Sequence, residues 1–415
     1  MEGITLQGTK SIENIFSEYI KKPSMFKNKN VLTSAFIPER ILHRDEEIQQ
    51  LSLMLAPTLK GFRSSNIFIY GKCGTGKTIC TKYVLHHLKE AEKKISRNTI
   101  KPLYMNCKMK RLADTEYRLL SQLLKEFGEV VPDTGLPTDV LYTRFFDTMK
   151  AQKKSVILVL DEIDALHTKI GDDFLYNLTR MNTELKDASL TIVGITNDLS
   201  FKEKLDSRVR SSLGEQEILF KPYDAMQLRE LLQQRIEKGF VANAVSEEAL
   251  SKCAALAAQE HGDARKALDL LVVAGEVAER MGESHIQVTH IDVAEEKIDM
   301  DRVLETVRMQ PRQPQVVLYA ILRLAKAKQE NDRWVDNRLL TGDVFREYAQ
   351  LCATCGMKVL TQRRISDLIT EMDMLGIVST RVISKGRYGR TREIVCSLDD
   401  KTRISVEHLI SSRLS

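Results

Sequence analysis

One stretch constrains this chain more than any other. Asn66-Ile-Phe-Ile-Tyr70 is a short apolar run that reads as a buried strand. It runs into Gly71-Lys-Cys-Gly-Thr-Gly-Lys-Thr78, and helical periodicity follows from Thr78 to about Lys93. A strand, then Gly-x-x-x-x-Gly-Lys-Thr, then a helix is the setting of a phosphate-binding loop. Glycines let main-chain N–H groups curl round a phosphate with no Cβ in the way. The helix start adds partial positive charge. Lys77 is the group to reach the β- and γ-phosphates, and the Thr78 hydroxyl is a ligand for Mg²⁺. The candidate nucleotide contacts are therefore Gly71, Lys72, Cys73, Gly74, Thr75, Gly76, Lys77, Thr78 and Ile79. The implied cofactors are ATP or ADP with Mg²⁺.

The chemistry such a loop needs recurs at other strand ends. Ser155-Val-Ile-Leu-Val-Leu160 is an almost uninterrupted apolar strand followed by Asp161-Glu162. An acid at the end of a buried strand is costly unless it serves a cation, so Asp161 is the second metal candidate. Glu162 is the group to polarise an attacking water. Leu190–Thr196 is another strand, and Asn197 at its end can hydrogen-bond a γ-phosphate or orient the water. Arg208 and Arg210 lie on a short helix beyond it, where one of them can act as a finger in a neighbour's site. Arg265, in Gly262-Asp-Ala-Arg265, starts a later helix and can couple nucleotide state to the angle of that layer. Leu103–Asn106 adds a further strand. Strands alternating with helices predict a parallel sheet covered on both sides, with binding residues at the C-terminal strand ends.

From about Asp224 the strand signal stops. Four helical segments (225–239, 246–259, 264–281 and 289–300) predict an all-α lid. The last ~110 residues read as three helices, 315–329, 342–355 and 361–375, followed by a hairpin of strands 376–384 and 391–397. That is a winged helix-turn-helix. Thr361, Arg363 and Arg364 open its third helix, where a recognition helix meets bases and phosphates. The hairpin region carries Arg381, Lys385, Arg387, Arg390 and Arg392. Tyr388 is placed to pack on a sugar or base, and the tip suits a minor groove. From Val303 onward there are 19 Lys and Arg against 13 Asp and Glu, so the whole net charge of +5 lies there and points to an anionic partner.

Composition excludes other classes. No apolar run approaches the ~20 residues of a membrane span, and Met1-Glu-Gly-Ile-Thr lacks the marks of a secretory signal. Seven scattered Cys fit a reducing cytosol. Cys352-Ala-Thr-Cys355 has no second pair, so it reads as helix packing rather than zinc. The expected domains are a base over 1–223, a lid over 224–301 and a winged helix over 302–415. Within the base, about 1–31 reads as a polar arm. Asp45–Leu55 reads as a helix with Ile48, Leu51, Leu53, Met54 and Leu55 on one buried side.

Taken together, these motifs resemble the AAA+ ATPases, and more narrowly the archaeal replication initiators of the origin-recognition and cell-division-control type. The resemblance covers nearly the whole chain. It rests on Pro38–Asp45, the phosphate loop, Thr134–Thr138, Val159–Asp164, Asp206–Leu213, Phe220–Asp224, Gly262–Leu268, Leu360–Ser366 and Gly386–Arg390. It implies that Tyr223 and Arg235 contact nucleotide at the lid junction. It also implies that a helical insert, about 107–150, touches DNA through Tyr117, Arg118 and the Thr134–Thr138 region. The implied function is an ATP-regulated initiator. It binds duplex origin DNA, helps recruit the replicative helicase, works with other copies or paralogues of itself, and hydrolyses ATP slowly as a switch. It would be cytoplasmic and nucleoid-associated, with no membrane partner. Two alternatives remain open at this point, an AAA+ remodelling enzyme and an ATP-gated transcription regulator. No pore-loop aromatic–glycine element supports the first.

Overall fold

A computed structural model describes residues 24–108, 115–132, 134–182, 185–330, 338–384 and 390–414. The chain divides into two compact units, Met1–Asp292 and Val293–Ser415. The first is built on five parallel strands. They are β1 (Ile67–Gly71), β2 (Ile100–Asn106), β3 (Ser155–Asp161), β4 (Ser189–Thr196) and β5 (Gln216–Phe220), in the order β2-β3-β4-β1-β5. Every residue of β1, β3 and β4 is buried, as continuous apolar runs require in a sheet covered on both faces. Because β1, β4 and β3 are neighbours, their C-terminal ends bring Gly71, Asn197 and Asp161 to one edge. β5 has no strong strand signal because it is an edge, and only Ile218 and Phe220 of its five residues are buried.

Helices α1 (Asp45–Leu55) and α2 (Lys77–Lys94) share one face of the sheet. Leu51 and Leu55 of α1 are buried, but Leu53 is 66% exposed, which corrects the expected apolar side. At 100° per residue, Leu53 points away from the stripe that Leu51 and Leu55 share. The other face carries α3 (Glu116–Glu126), α4 (Thr138–Gln152), α5 (Ile163–Ile170), α6 (Asp173–Met181), α7 (Phe201–Lys204) and α8 (Ser207–Leu213). In α3 and α4, Leu119, Leu120, Leu123, Phe145 and Phe146 are buried at helical spacing in that core.

The lid contains α9 (Ala225–Gly239), α10 (Glu247–Gln259) and α11 (Ala264–Met281). Asp224, Ser246 and Asp263 cap their N-termini with side-chain hydrogen bonds. The expected polar arm is, over residues 24–32, a strap packed on this layer, with Met25, Val31 and Leu32 buried. Phe26 lies 4.8 Å from Phe240, ring to ring, and fills the space beside Gly275, where a Cβ would come within 2.6 Å of its Cζ. The Lys27 and Asn28 amides donate to the Gly239 carbonyl. Polar side chains disguised the strap because its backbone makes much of the contact. The rest of the expected arm lies outside the described residues.

Helix α12 (Val288–Met309) continues past the expected lid boundary at 301. The second unit adds α13 (Arg312–Glu330), β6 (Leu339–Leu340), α14 (Thr341–Thr354), α15 (Gln362–Met374), β7 (Val378–Ser384), β8 (Arg390–Cys396) and α16 (Asp400–Leu414). Its antiparallel sheet runs β6-β8-β7. Thr402, Val406 and Ile410 form the narrow i, i+4, i+8 stripe of α16, too slight to mark that helix in the sequence. Cys352 is buried in the same core. Among the described residues no helix is long and apolar enough to cross a membrane.

Candidate functional site

The phosphate loop joins β1 to α2, and its glycines are forced by what lies against them. Gly74 has φ +68°, and a Cβ there would fall 1.7 Å from Asp263 Oδ1. Gly76, with φ +94°, is the N-cap of α2, and a Cβ there would come within 2.9 Å of the Tyr223 hydroxyl. Among the described residues no side chain caps α2, and no acid stands in its first turn. That leaves a helix N-terminus suited to an anion.

Lys77 Nζ donates to the carbonyls of Gly71 at 2.7 Å and Lys72 at 2.6 Å, and to Asn197 Oδ1 at 2.8 Å. Burial pulls its pKa down to about 8. Thr78 Oγ1 donates to Asp161 Oδ2 at 2.8 Å. Among the described residues no group of three His, Cys, Asp or Glu side chains could hold a metal. One hydroxyl beside one carboxylate instead fits Mg²⁺, which takes the rest of its oxygens from water and phosphate. Glu162 is the N-cap of α5 with φ +57° and ψ +50°, a left-handed backbone of the kind concentrated at functional sites. Its carboxylate lies 3.5 Å from Lys108 Nζ. Asp164 accepts from Thr196 Oγ1 at 2.9 Å, so it braces the turn.

The lid closes the other side. The Ala264 amide donates to the Gly74 carbonyl at 3.2 Å, and Asp263 caps the amides of Arg265 and Lys266. Arg265 Nη1 lies 3.9 Å from Cys73 Sγ. The resulting cleft, together with the open solvent at its mouth, spans about 1010 Å³. It is polar along the loop, Asp161, Glu162, Asn197 and Arg265. It is apolar at Ile37, Pro38, Ile41, Leu42 and Leu268. A phosphate end and a flat apolar end fit a nucleotide. Ile79 also lines it.

Tyr223 is buried beneath Gly76, with the Arg44 guanidinium 3.8 Å from its ring centroid, and burial pushes its hydroxyl up to about 12. Arg235 is 5% exposed and donates to the Val31 carbonyl at 3.1 Å and the Phe36 carbonyl at 3.3 Å. It ties the strap to the lid and lines the cleft, and its buried Nε has no hydrogen-bond partner among the described residues. Arg208 is apart from all of these. It pairs with Asp206 at 3.1 Å, leans over the Tyr176 ring and is largely exposed, as is Arg210. Neither lines the cleft.

Sequence reasoning passed over three residues here. Arg44, 3% exposed, donates to the carbonyls of Thr75 at 2.9 Å and Lys221 at 2.6 Å and to Glu47 at 3.1 Å. It stood inside Pro38–Asp45, already noted as distinctive. Asp263 carried the signature of an N-cap. Tyr104 carried only strand alternation with Asn106.

In the second unit Thr361 caps α15 by accepting from the Arg364 amide at 3.4 Å. Arg363 is exposed and lines a shallow cleft with Thr341, Gln362 and Val382. Arg364 lies 3.4 Å from Glu371. Arg392, read as part of a basic tip, instead donates to the Ser366 carbonyl at 2.9 Å and to Thr370, bracing the hairpin against α15. Lys385, Arg387 and Tyr388 lie outside the described residues, and for Arg390 only the backbone, opening β8, is described. In the base insert, Tyr117 donates to the Pro132 carbonyl at 2.7 Å, and Thr115 Oγ1 accepts the Arg118 amide.

Comparison with known proteins meets this geometry. Residues 60–202 match the AAA domain family, 229–296 the Cdc6 AAA+ ATPase-type lid domain, and 305–405 the CDC6 C-terminal winged helix domain. The ORC1-type DNA replication protein of Pyrococcus abyssi is 48% identical over 387 residues, covering 92% of this chain and 90% of its own length. ORC1-type DNA replication protein 1 of Methanosarcina acetivorans is 45% identical over 388 residues, covering 94% and 91%. The structure of the Aeropyrum pernix ORC1 protein in complex with DNA superimposes with a TM-score of 0.78 at 41% identity, covering 93% of this chain and 97% of that one. A nucleotide-type cleft between an AAA+ base and a Cdc6-type lid, a terminal winged helix, and these full-length likenesses place the chain in the family of ORC1-type archaeal DNA replication proteins.

Proposed function

We propose that this protein is an ATP-regulated replication initiator that binds duplex origin DNA and helps recruit the replicative helicase. One observation carries the regulatory part. Gly74 of the phosphate loop is in contact with Asp263 and Ala264 at the start of α11, so whatever the loop holds bears directly on the lid. ATP with Mg²⁺ supplies a cleavable phosphoryl bond and a divalent charge beside Thr78 and Asp161. Lys77 and Arg265 provide the cations that balance phosphate charge at the two sides of the cleft. Asn197, through its bond to Lys77, ties the end of β4 to the loop. Glu162 is the base candidate, and one of its carboxylate oxygens lies 3.5 Å from the exposed Lys108 Nζ. Hydrolysis is slow and resets a switch rather than driving a motor. Arg208 or Arg210, exposed away from this chain's own cleft, is free in position to serve a second copy or a paralogue.

For DNA, the start of α15 presents Thr361, Arg363 and Arg364, and the hairpin adds Lys385, Arg387, Tyr388 and Arg390. Tyr117, Arg118 and residues 134–138 of the insert form a second contact. The likeness to an ORC1 protein solved in complex with DNA supports this reading. Origin binding makes the protein nucleoid-associated. Two experiments test the proposal. Lys77→Ala should remove ADP and ATP binding in a fluorescent-nucleotide titration, and unchanged binding sinks the loop assignment. A genome-wide footprint should peak at replication origins, and a signal confined to promoters overturns the initiator role.

A further inference from the structure

Strand β2 ends beside the acidic end of β3. Asn106 is in register with Asp161, so strand alternation puts Tyr104, two residues earlier, on the same face as that carboxylate. The Tyr104 hydroxyl donates to Asp161 Oδ2 at 2.5 Å, the same oxygen that accepts from Thr78 Oγ1 at 2.8 Å. Lys82 Nζ, from α2, sits 4.2 Å from the centre of the Tyr104 ring. The residue is 38% exposed, yet its hydroxyl is committed to a buried acid.

We propose that Tyr104 is a positioning residue for the metal-binding carboxylate of Asp161. This rests on the reading that Thr78 and Asp161 hold Mg²⁺. A carboxylate at a strand end turns freely about its last bond unless it is held. Two hydroxyls on one oxygen hold it, one from the helix that starts at the phosphate loop and one from the neighbouring strand. The orientation is thus set before a cation arrives, and ordering it costs nothing at the moment of binding. Thr78 and Tyr104 reach that oxygen from two different elements, so the second hydroxyl restrains the rotation that one alone leaves. Tyr104 is held in turn by its strand and by Lys82.

Tyr104→Phe isolates the role, since it keeps the ring and its Lys82 contact and removes only the donor. ADP affinity is measured first in EDTA, then across a Mg²⁺ titration, and Mn²⁺ bound to the ADP complex is counted by electron paramagnetic resonance. The expected result is ADP affinity in EDTA within about twofold of wild type and a requirement for Mg²⁺ or Mn²⁺ raised roughly tenfold, the usual effect of losing an outer partner of a metal ligand. Thermal unfolding of the variant should stay a single cooperative transition, lowered by no more than the loss of one hydrogen bond to a charged group. A Mg²⁺ curve superimposable on wild type overturns the proposal. So does an equal loss of ADP affinity with and without the metal, which marks a merely structural role. If the wild-type protein itself shows no Mg²⁺ dependence, the Thr78–Asp161 reading fails instead, and the two failures are told apart.

Discussion

Replacing Gly74 by Ala tests the join between phosphate loop and lid. The backbone there has φ +68°, where an L residue is strained by about 1–2 kcal/mol. The new Cβ would lie 1.7 Å from Asp263 Oδ1, 2.3 Å from its Cγ and 2.9 Å from its Cα, so the Asp263 side chain has to leave and the start of α11 has to give slightly. Its departure uncaps α11, at about 1 kcal/mol. It also weakens the Ala264–Gly74 hydrogen bond, at about another 1 kcal/mol. Gly74→Ala should therefore cost about 3–4 kcal/mol, and Asp263→Ala alone about 1 kcal/mol. In the double variant the cap is lost once and the clash with the carboxylate is gone. The double variant should thus be more stable than the sum of the singles by about 1–2 kcal/mol. Equilibrium urea unfolding followed by far-UV circular dichroism gives the four stabilities. Hydrogen exchange at the Arg265 and Lys266 amides, which Asp263 caps, locates the effect. Additive variants, within about 0.5 kcal/mol, would show that loop and lid do not press on each other.

Three further outcomes follow from the same geometry. Burial lowers the Lys77 pKa to about 8 from 10.5, so between those values the unfolded chain binds more protons than the folded one. This group's contribution to stability therefore rises with pH from about 8 to 10.5, and the wild-type-minus-Lys77→Met stability difference should climb across that window; a flat difference refutes the burial argument. Gly275→Val pushes a side chain into the seat of Phe26 and should lower stability by about 1–3 kcal/mol in thermal or urea unfolding. Arg363→Ala removes an exposed cation at the start of α15 and should weaken binding to all duplexes alike, lowering the salt slope of log affinity by about one in fluorescence anisotropy.

Much of the nucleotide site was legible because its parts are local. A loop with fixed glycine spacing, an acid after an apolar strand, and an amide after another are each encoded within a few residues. Parallel topology then gathers them, since neighbouring parallel strands end on one side. The central strands were equally plain, being buried on both faces. β5 and α16 were not, because an edge strand and a helix with one narrow buried stripe differ little from exposed chain. The strap at 24–32 escaped for another reason. Its contacts run through main-chain amides and through room left by a glycine on a distant helix.

What the sequence determined by itself was the chemistry: a nucleotide-type loop, its acidic and amide partners, a helical lid and a basic winged helix in order. Its identity as a family member follows from the same motifs. The tertiary structure alone decided the partnerships. Arg44 stacks on Tyr223 under the loop, Asp263 meets Gly74, Tyr104 holds Asp161, Arg235 secures the strap, and Arg392 braces the wing it was expected to arm. These pairings join residues up to 204 positions apart, as in Arg235 with Val31. Local periodicity carries no record of such distances. They exist only once the sheet order and the folding-back of the lid have set which surfaces meet.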